Sequence, residues 1–227
     1  MWFKTLTGFE EISPEHVREN LYMDGTHLVS RVNKQSFQAG TLQIPTLAEL
    51  KQFAPPLEMY NGQIKVSEII ADVRDLHCNP ENKSAMFQVA SQFNLLEMVN
   101  PNITPERGVD IYEYDKTQGP ACAIACGAGT IYRNYFANVL GRVGQTSDNQ
   151  IDCLDELAIE LKNDILQLWK MSNGYALAKK EGLAHIQSIL EQTTDEYSEI
   201  LKSKIRIGIQ WDTEVTIDHQ KQIVSQA

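Results

Sequence analysis

Residues 84–136 constrain this chain more than any other stretch, because SAMFQVASQFNLLEMVNPNITPERGVDIYEYDKTQGPACAIACGAGTIYRNYF sets an apolar run, a polar loop and a helix of small residues in unbroken succession. Residues 85–90 read as a short strand of the kind buried on both faces of a parallel sheet. Ser91, Gln92 and Asn94 follow at its exit. Polar side chains in that place are costly unless they meet one another or a ligand. The loop over 100–116 then carries the carboxylates Glu106, Asp110, Glu113 and Asp115 and leads into Thr117-Gln118-Gly119-Pro120. This tetrapeptide has the features of a helix start. Thr117 or Asp115 can cap, and Pro120 suits a first turn, where a missing N–H leaves nothing unpaired. The spacing predicts helix from 121 to 136, with almost no bulk on Ala121, Cys122, Ala123, Ala125, Cys126, Gly127, Ala128 and Gly129. A glycine inside a helix costs about 1 kcal/mol relative to alanine. Gly127 and Gly129 therefore point to something close to the helix backbone, either a neighbouring element or a ligand.

The rest of the chain supplies elements around this stretch. Ser13-Pro14-Glu15 opens a short helix, Asp24-Gly25 makes a turn, and strands are expected over 28–32 and 35–44 about a turn at Asn33-Lys34. Another helix is expected from Pro45 to the Pro55-Pro56 pair. Residues 69–77 read as a strand with a polar tail, in which Asp72 either contacts a ligand, pairs with Arg74 or caps a turn. His77, beside Cys78, takes a structural or solvent role. Ile151, Leu154, Leu157, Ala158, Leu161, Ile165 and Leu168 recur at helical spacing and predict one long amphipathic helix from Asp148 or Asn149, broken at 171–175. A further helix runs through Leu183, Ile186, Ile189 and Leu190. Period-two alternation makes 205–211 a strand. Strands separated by helices predict an α/β layered fold, organised as an N-terminal cap over 1–60 and an α/β core over 61–227.

Composition removes several function classes. A net charge of −10 without a basic run longer than two residues argues against nucleic acid, whose backbone needs clustered Lys and Arg. No run of 18 apolar residues and no signal-like apolar core occurs, so no membrane partner and a cytoplasmic location are expected. The four cysteines read as free thiols. Cys122 and Cys126 share a helical face, but two thiols without a nearby histidine in the chain are a weak metal signal, and neither metal nor cofactor is expected. An anionic small ligand stays open, since helix N-termini hold phosphate without net basic charge.

Two strings, FQVASQFNLLEM and YDKTQGPACAIACGAGTIYRNYF, resemble a divergent macrodomain-like subclass of ADP-ribosyl hydrolases that includes a bacterial effector removing ADP-ribose from modified ubiquitin. Asp72-Val73-Arg74 is similar to the Gly-Asp-Ile-Thr-like segment of macrodomains, with Ala71 in place of the glycine, and residues 90–94 stand where the pattern has Asn-Ala-Ala-Asn. The resemblance implies a macrodomain-like layered fold, a mixed sheet flanked by helices beyond the N-terminal cap. It implies adenine recognition at Asp72, with Val73 as a further ligand-binding candidate, and ribose recognition at Asn94. Asp115 becomes the group that orients or deprotonates water at the anomeric carbon. Gln118 joins it as a catalytic candidate, while Thr117, Gly119 and the amides opening the helix face ribose or phosphate. Asp110 is a further ligand-binding candidate, and Asp110 and Glu113 are alternatives to Asp115. The implied activity is hydrolysis of ADP-ribose from modified protein. The alternatives are a reader module that binds ADP-ribose without turnover and a structural or partner-binding domain. The family's late glycine-rich loop has no counterpart, as the only Gly-x-Gly is Gly127-Ala128-Gly129. A further segment or a partner is therefore expected to complete the fold.

Overall fold

Small apolar clusters punctuated by Gly, Pro, Asn and Asp yield short elements joined by tight turns. The computed structural model describes residues 1–43, 52, 62–63, 65–85, 87, 92–98 and 100–192. Helix α1 (Trp2–Thr7) stops at Gly8, which takes a left-handed φ of 88°. Helix α2 (Pro14–Asn20) opens as its sequence predicts. The Ser13 hydroxyl accepts from the His16 N–H at 3.2 Å, and Pro14 occupies the first turn. An antiparallel meander follows, formed by β1 (Leu21–Asp24), β2 (His27–Ser30) and β3 (Ser36–Gln38), with Leu21 opposite Ser30 and Leu28 opposite Phe37. The expected turns at Asp24-Gly25 and Asn33-Lys34 join these strands.

After this meander come α3 (Val73–Cys78), a 3₁₀ turn over Pro80–Asn82, and two more over Pro105–Arg107 and Asp110–Tyr114. Next are α4 (Gln118–Cys126), α5 (Ala128–Tyr135) and a small hairpin of β4 (Asn138–Val139) with β5 (Arg142–Val143). Helices α6 (Asp155–Glu160) and α7 (Asn163–Leu166) lead to a second hairpin, β6 (Trp169–Ser172) with β7 (Tyr175–Ala178), and to α8 (Lys180–Gln192). The described residues thus mix helix with small antiparallel sheets.

Several sequence expectations are corrected. Residues 69–72 lie outside any strand, and the segment after them is helix. The Asp72 carboxylate accepts from the Arg74 N–H at 2.8 Å, and this N-cap outweighs the β-branched residues before it. The helix expected without a break over 121–136 is two helices. Gly127, at φ 53° and ψ −104°, turns the chain between α4 and α5 in a conformation that a side chain disfavours. The long amphipathic helix is likewise divided. Lys162 and Gln167 adopt left-handed φ values of 53° and 49°, and the Asn163 side chain folds the chain back by donating to the Trp169 carbonyl and accepting from the Trp169 N–H, both at 3.0 Å. Its apolar stripe is core at Ile151, Leu154, Leu157, Leu161 and Leu168, whereas Ile165 is 72% exposed. Residues 171–175 are no simple break, because Asn173-Gly174 is a two-residue hairpin turn, the strongest short signal for one. Ala85 and Phe87 lie outside any strand. The rest of the 85–90 strand, the helix at 45–50 and the strand at 205–211 fall outside the described residues.

Three apolar clusters hold these elements. The largest joins the N-terminal residues Phe3, Val17, Leu21 and Leu28 to Leu96, Met98, Val109, Tyr112, Ile131 and Tyr135. The first 43 residues therefore share their core with the stretch that carries the site. A second cluster packs Leu154, Leu157, Leu161, Leu168 and Trp169 beneath Ile186 of α8, and a third gathers Ala137, Val139 and Ile151.

Candidate functional site

The site grows from the contact of α3 with the start of α4. Arg74, on the first turn of α3, reaches across to the loop before α4. Its Nη2 donates to the carbonyls of Glu113 at 3.2 Å and Asp115 at 2.9 Å. One turn further along α3, His77 Nε2 lies 3.1 Å from Cys122 Sγ. The imidazole also stacks on Phe87, with centroids 3.9 Å apart and planes at 28°. Between these groups opens a pocket of about 340 Å³ lined by His77, Phe87, Glu97, Cys122, Ala123, Ala125, Cys126 and Arg133.

Glu97 gives this pocket its chemistry. Its backbone is fixed by neighbours, since the Glu97 N–H donates to the Tyr112 hydroxyl at 3.0 Å and the adjacent Leu96 N–H donates to Asn94 Oδ1 at 3.0 Å. The residue is only 8% exposed, yet among the described residues its carboxylate accepts no hydrogen bond and forms no ion pair. Burial pushes its pKa up to about 7; the Arg133 charge partly counters this, and the Asp115 charge adds to it. A buried carboxyl titrating near neutrality inside a cleft has the properties of a proton-transfer group. Gly119 is explained here, because a Cβ built on it would overlap the Glu97 carboxylate. The helix start lacks a side chain so that this carboxyl can lie against it.

Arg133, on α5, provides the positive charge. Its Nη2 donates to the Thr130 hydroxyl at 2.8 Å, and that hydroxyl donates to the Ala123 carbonyl at 2.6 Å, so the guanidinium is held from one side while its buried Nε has no partner among the described residues. Cys122 is the opposite case. Burial, with Glu97 beside it, pushes the thiol up from its ordinary value.

The residues singled out from sequence divide in two. Asp115, Thr117, Gln118 and Gly119 lie together at the opening of α4, and Arg74 ties the Asp72-Val73 segment to them. Asp115 Oδ1 accepts from the Thr117 N–H at 2.8 Å and from its hydroxyl at 2.6 Å, which shapes the entry to α4, while Gln118 is exposed. Asp72 is exposed and caps α3, and Val73 is half-buried. Asn94 and Asp110 lie elsewhere. Asn94 is fully buried; its Nδ2 donates to Gln150 Oε1 at 3.0 Å while its Oδ1 accepts from Leu96, and it does not line the pocket. Asp110 faces α1, accepting from the Phe3 N–H at 3.4 Å, and burial raises its pKa. Glu113, the alternative base, instead pairs with the N-terminal ammonium at 2.9 Å.

Of the polar residues expected to need partners, Gln92 and Asn94 meet them within the chain, and Ser91 falls outside the described residues. Gln92 Oε1 accepts from the Met98 N–H at 2.9 Å, and its Nε2 donates to the Tyr175 hydroxyl at 2.7 Å. The small-residue face is explained in the same way, since a Cβ on Gly129 would lie 3.0 Å from the Ala39 carbonyl oxygen, which places a neighbouring element rather than a ligand against that glycine.

Sequence reading missed Glu97, His77, Cys122 and Arg133 as a group. Glu97 carried a signal, a lone carboxylate between Leu96 and Met98 in an apolar run. The pairing of His77 with Cys122 did not, because 45 residues separate them and only the docking of α3 on α4 brings them together. Among the described residues, no group of three or more His, Cys, Asp or Glu could hold a metal ion, and no helix is long and apolar enough to cross a membrane. Comparison of the chain with protein-family models, curated proteins and solved structures finds no match.

Proposed function

We propose that this protein is a cytoplasmic hydrolase that removes ADP-ribose from modified proteins, with a macrodomain-like layered fold, and that the pocket beside the start of α4 receives the ribose next to the bond that is cut. The observation that carries the reading is Glu97. It is a buried carboxylate without a partner among the described residues, its pKa near 7, lying against Gly119 in the same Asp115–Gly119 segment to which the family resemblance assigns the ribose and the water. A sugar supplies the hydroxyl donors that such a carboxylate lacks. Arg133 sits within reach of an anionic pyrophosphate without being neutralised by an ion pair among the described residues. Water attacks the anomeric carbon and its proton passes to a carboxylate, while the bond to the protein side chain breaks with its electron pair going to the side-chain atom, which takes up a proton; the charge developing on the sugar is stabilised by the acids beside it. Glu97 and Asp115 share this work, Glu97 as the group that exchanges the proton and Asp115 as the one that orients the water from the α4 opening.

The test is release of free ADP-ribose from a mono-ADP-ribosylated protein, followed by chromatography. The wild-type chain is expected to release it, and Glu97→Gln and Asp115→Asn are each expected to slow release by about 10²–10⁴ with folding retained. Binding of ADP-ribose without any release identifies a reader module instead. Neither binding nor release overturns the proposal.

A further inference from the structure

Cys122 has surroundings that hydrolysis of a sugar bond does not use. Its Sγ lies 3.1 Å from His77 Nε2, on the wall of a cavity of about 340 Å³, and the His77 ring is held in place by stacking on Phe87. A thiol with an imidazole at this distance, opening on a pocket, is the arrangement in which a base removes the S–H proton as sulfur attacks. The other thiols lack it. Cys78 and Cys126 are exposed and, among the described residues, have no such base, although Cys126 also borders the pocket; Cys153 lies partly buried in another cluster, its pKa pushed up to about 11 by burial.

We propose that Cys122 is a site of covalent modification, where the thiol, with His77 as its base, exchanges with a small disulfide admitted by the pocket. In the step, the Cys122 proton moves to His77 Nε2, Sγ attacks one sulfur of the disulfide, the S–S bond of the reagent breaks and a new Sγ–S bond forms. The departing thiolate takes the proton from His77 and leaves as free thiol, so no outside oxidant is consumed beyond the disulfide. Size and charge select the reagent. The pocket admits a low-molecular-weight compound and not a protein, and Arg133, its buried Nε without a partner among the described residues, favours one carrying carboxylates, as oxidised glutathione does. Burial and the Glu97 charge push the thiol up from its ordinary value, which opposes its ionisation unless a base such as His77 takes the proton. The resulting adduct fills the cavity beside Glu97. This inference concerns the thiol and its neighbours and stands whether or not the pocket hydrolyses ADP-ribose.

The full chain is incubated with oxidised glutathione, and the adduct at each cysteine is followed over time by peptide mass spectrometry. The expected result is that Cys122 is modified ahead of Cys78 and Cys126, and that His77→Ala slows it by about a hundredfold, with Cys126 unchanged as internal reference. Modification of Cys153 reports unfolding. If His77→Ala exposes Cys153, the deciding variant is Glu97→Gln, which removes the repelling charge and is expected to speed Cys122 modification several-fold at about pH 8, where Glu97 is ionised. First reaction at Cys78 and Cys126 with Cys122 untouched, an unchanged Cys122 rate in folded His77→Ala, or no acceleration in Glu97→Gln overturns the proposal.

Discussion

At the scale of the residue, Glu97 bears a cost that the fold retains. Its pKa in the folded protein is about 7, against an ordinary value of 4.5. The native state therefore binds more protons than the unfolded state between these values, and stability falls as pH rises through that window. Below about pH 4.5 the carboxyl is neutral in both states and carries no penalty; above about 7 the penalty is complete, at most about 3 kcal/mol from the size of the shift. Glu97→Gln, which is neutral throughout, is expected to match wild type in acid and to exceed it by up to that amount at about pH 8. Urea midpoints at the two pH values measure this, and equal midpoints for the two proteins at the higher pH would remove Glu97 as a strained group. At this scale the sequence was legible in part for the residues that act through their own backbone. Thr117 stands where α4 was expected to open, whereas Asp72 caps a helix in place of the expected strand and Gly119, expected to face ribose or phosphate, lies against Glu97. The sequence showed that Asn94 needs a polar partner but not which one, since Gln150 lies 56 positions away.

At the scale of the element, periodicity located apolar faces better than it located ends. The stripe from Ile151 to Leu168 is core except at the partly buried Ala158 and the exposed Ile165, but two left-handed residues divide its helix, because the Asn163 side chain bonds to Trp169 and makes a closed turn cheaper than continuation. Gly127 acts likewise between α4 and α5. Local composition shows a glycine; only the docked position of α5, with Thr130 bonded to Ala123 and Ile131 fully buried, shows why that glycine must take φ 53°. Gly127→Ala is expected to destabilise the fold by about 1–3 kcal/mol, the usual cost of a side chain in such a backbone region. Chemical denaturation checks this, and a stabilised variant would mean that α4 and α5 join into one helix without loss.

At the scale of the whole molecule, the N-terminal segment and the site form one unit. Glu11 joins them. Its carboxylate accepts from the Val109 N–H at 2.9 Å, the Asp110 N–H at 2.7 Å and the Tyr135 hydroxyl at 2.7 Å, although burial raises its pKa. Glu11→Ala leaves these donors without their acceptor, at about 1–3 kcal/mol for each one left unsatisfied. Its thermal transition is expected to broaden and fall, whereas an unchanged melt would show that the first 43 residues fold apart from the site. This union was not legible beforehand, since it rests on contacts between residues about a hundred positions apart. The central claim is that the pocket between α3 and α4 takes ADP-ribose, and calorimetric titration of the wild-type chain and of Arg133→Ala with ADP-ribose tests it most directly. The account predicts saturable one-to-one binding to wild type and at least tenfold weaker binding to the folded variant, as expected for loss of about 1.5–3 kcal/mol from a charged hydrogen bond. Absence of heat beyond dilution in wild type, or equal affinity in the two proteins, would contradict it.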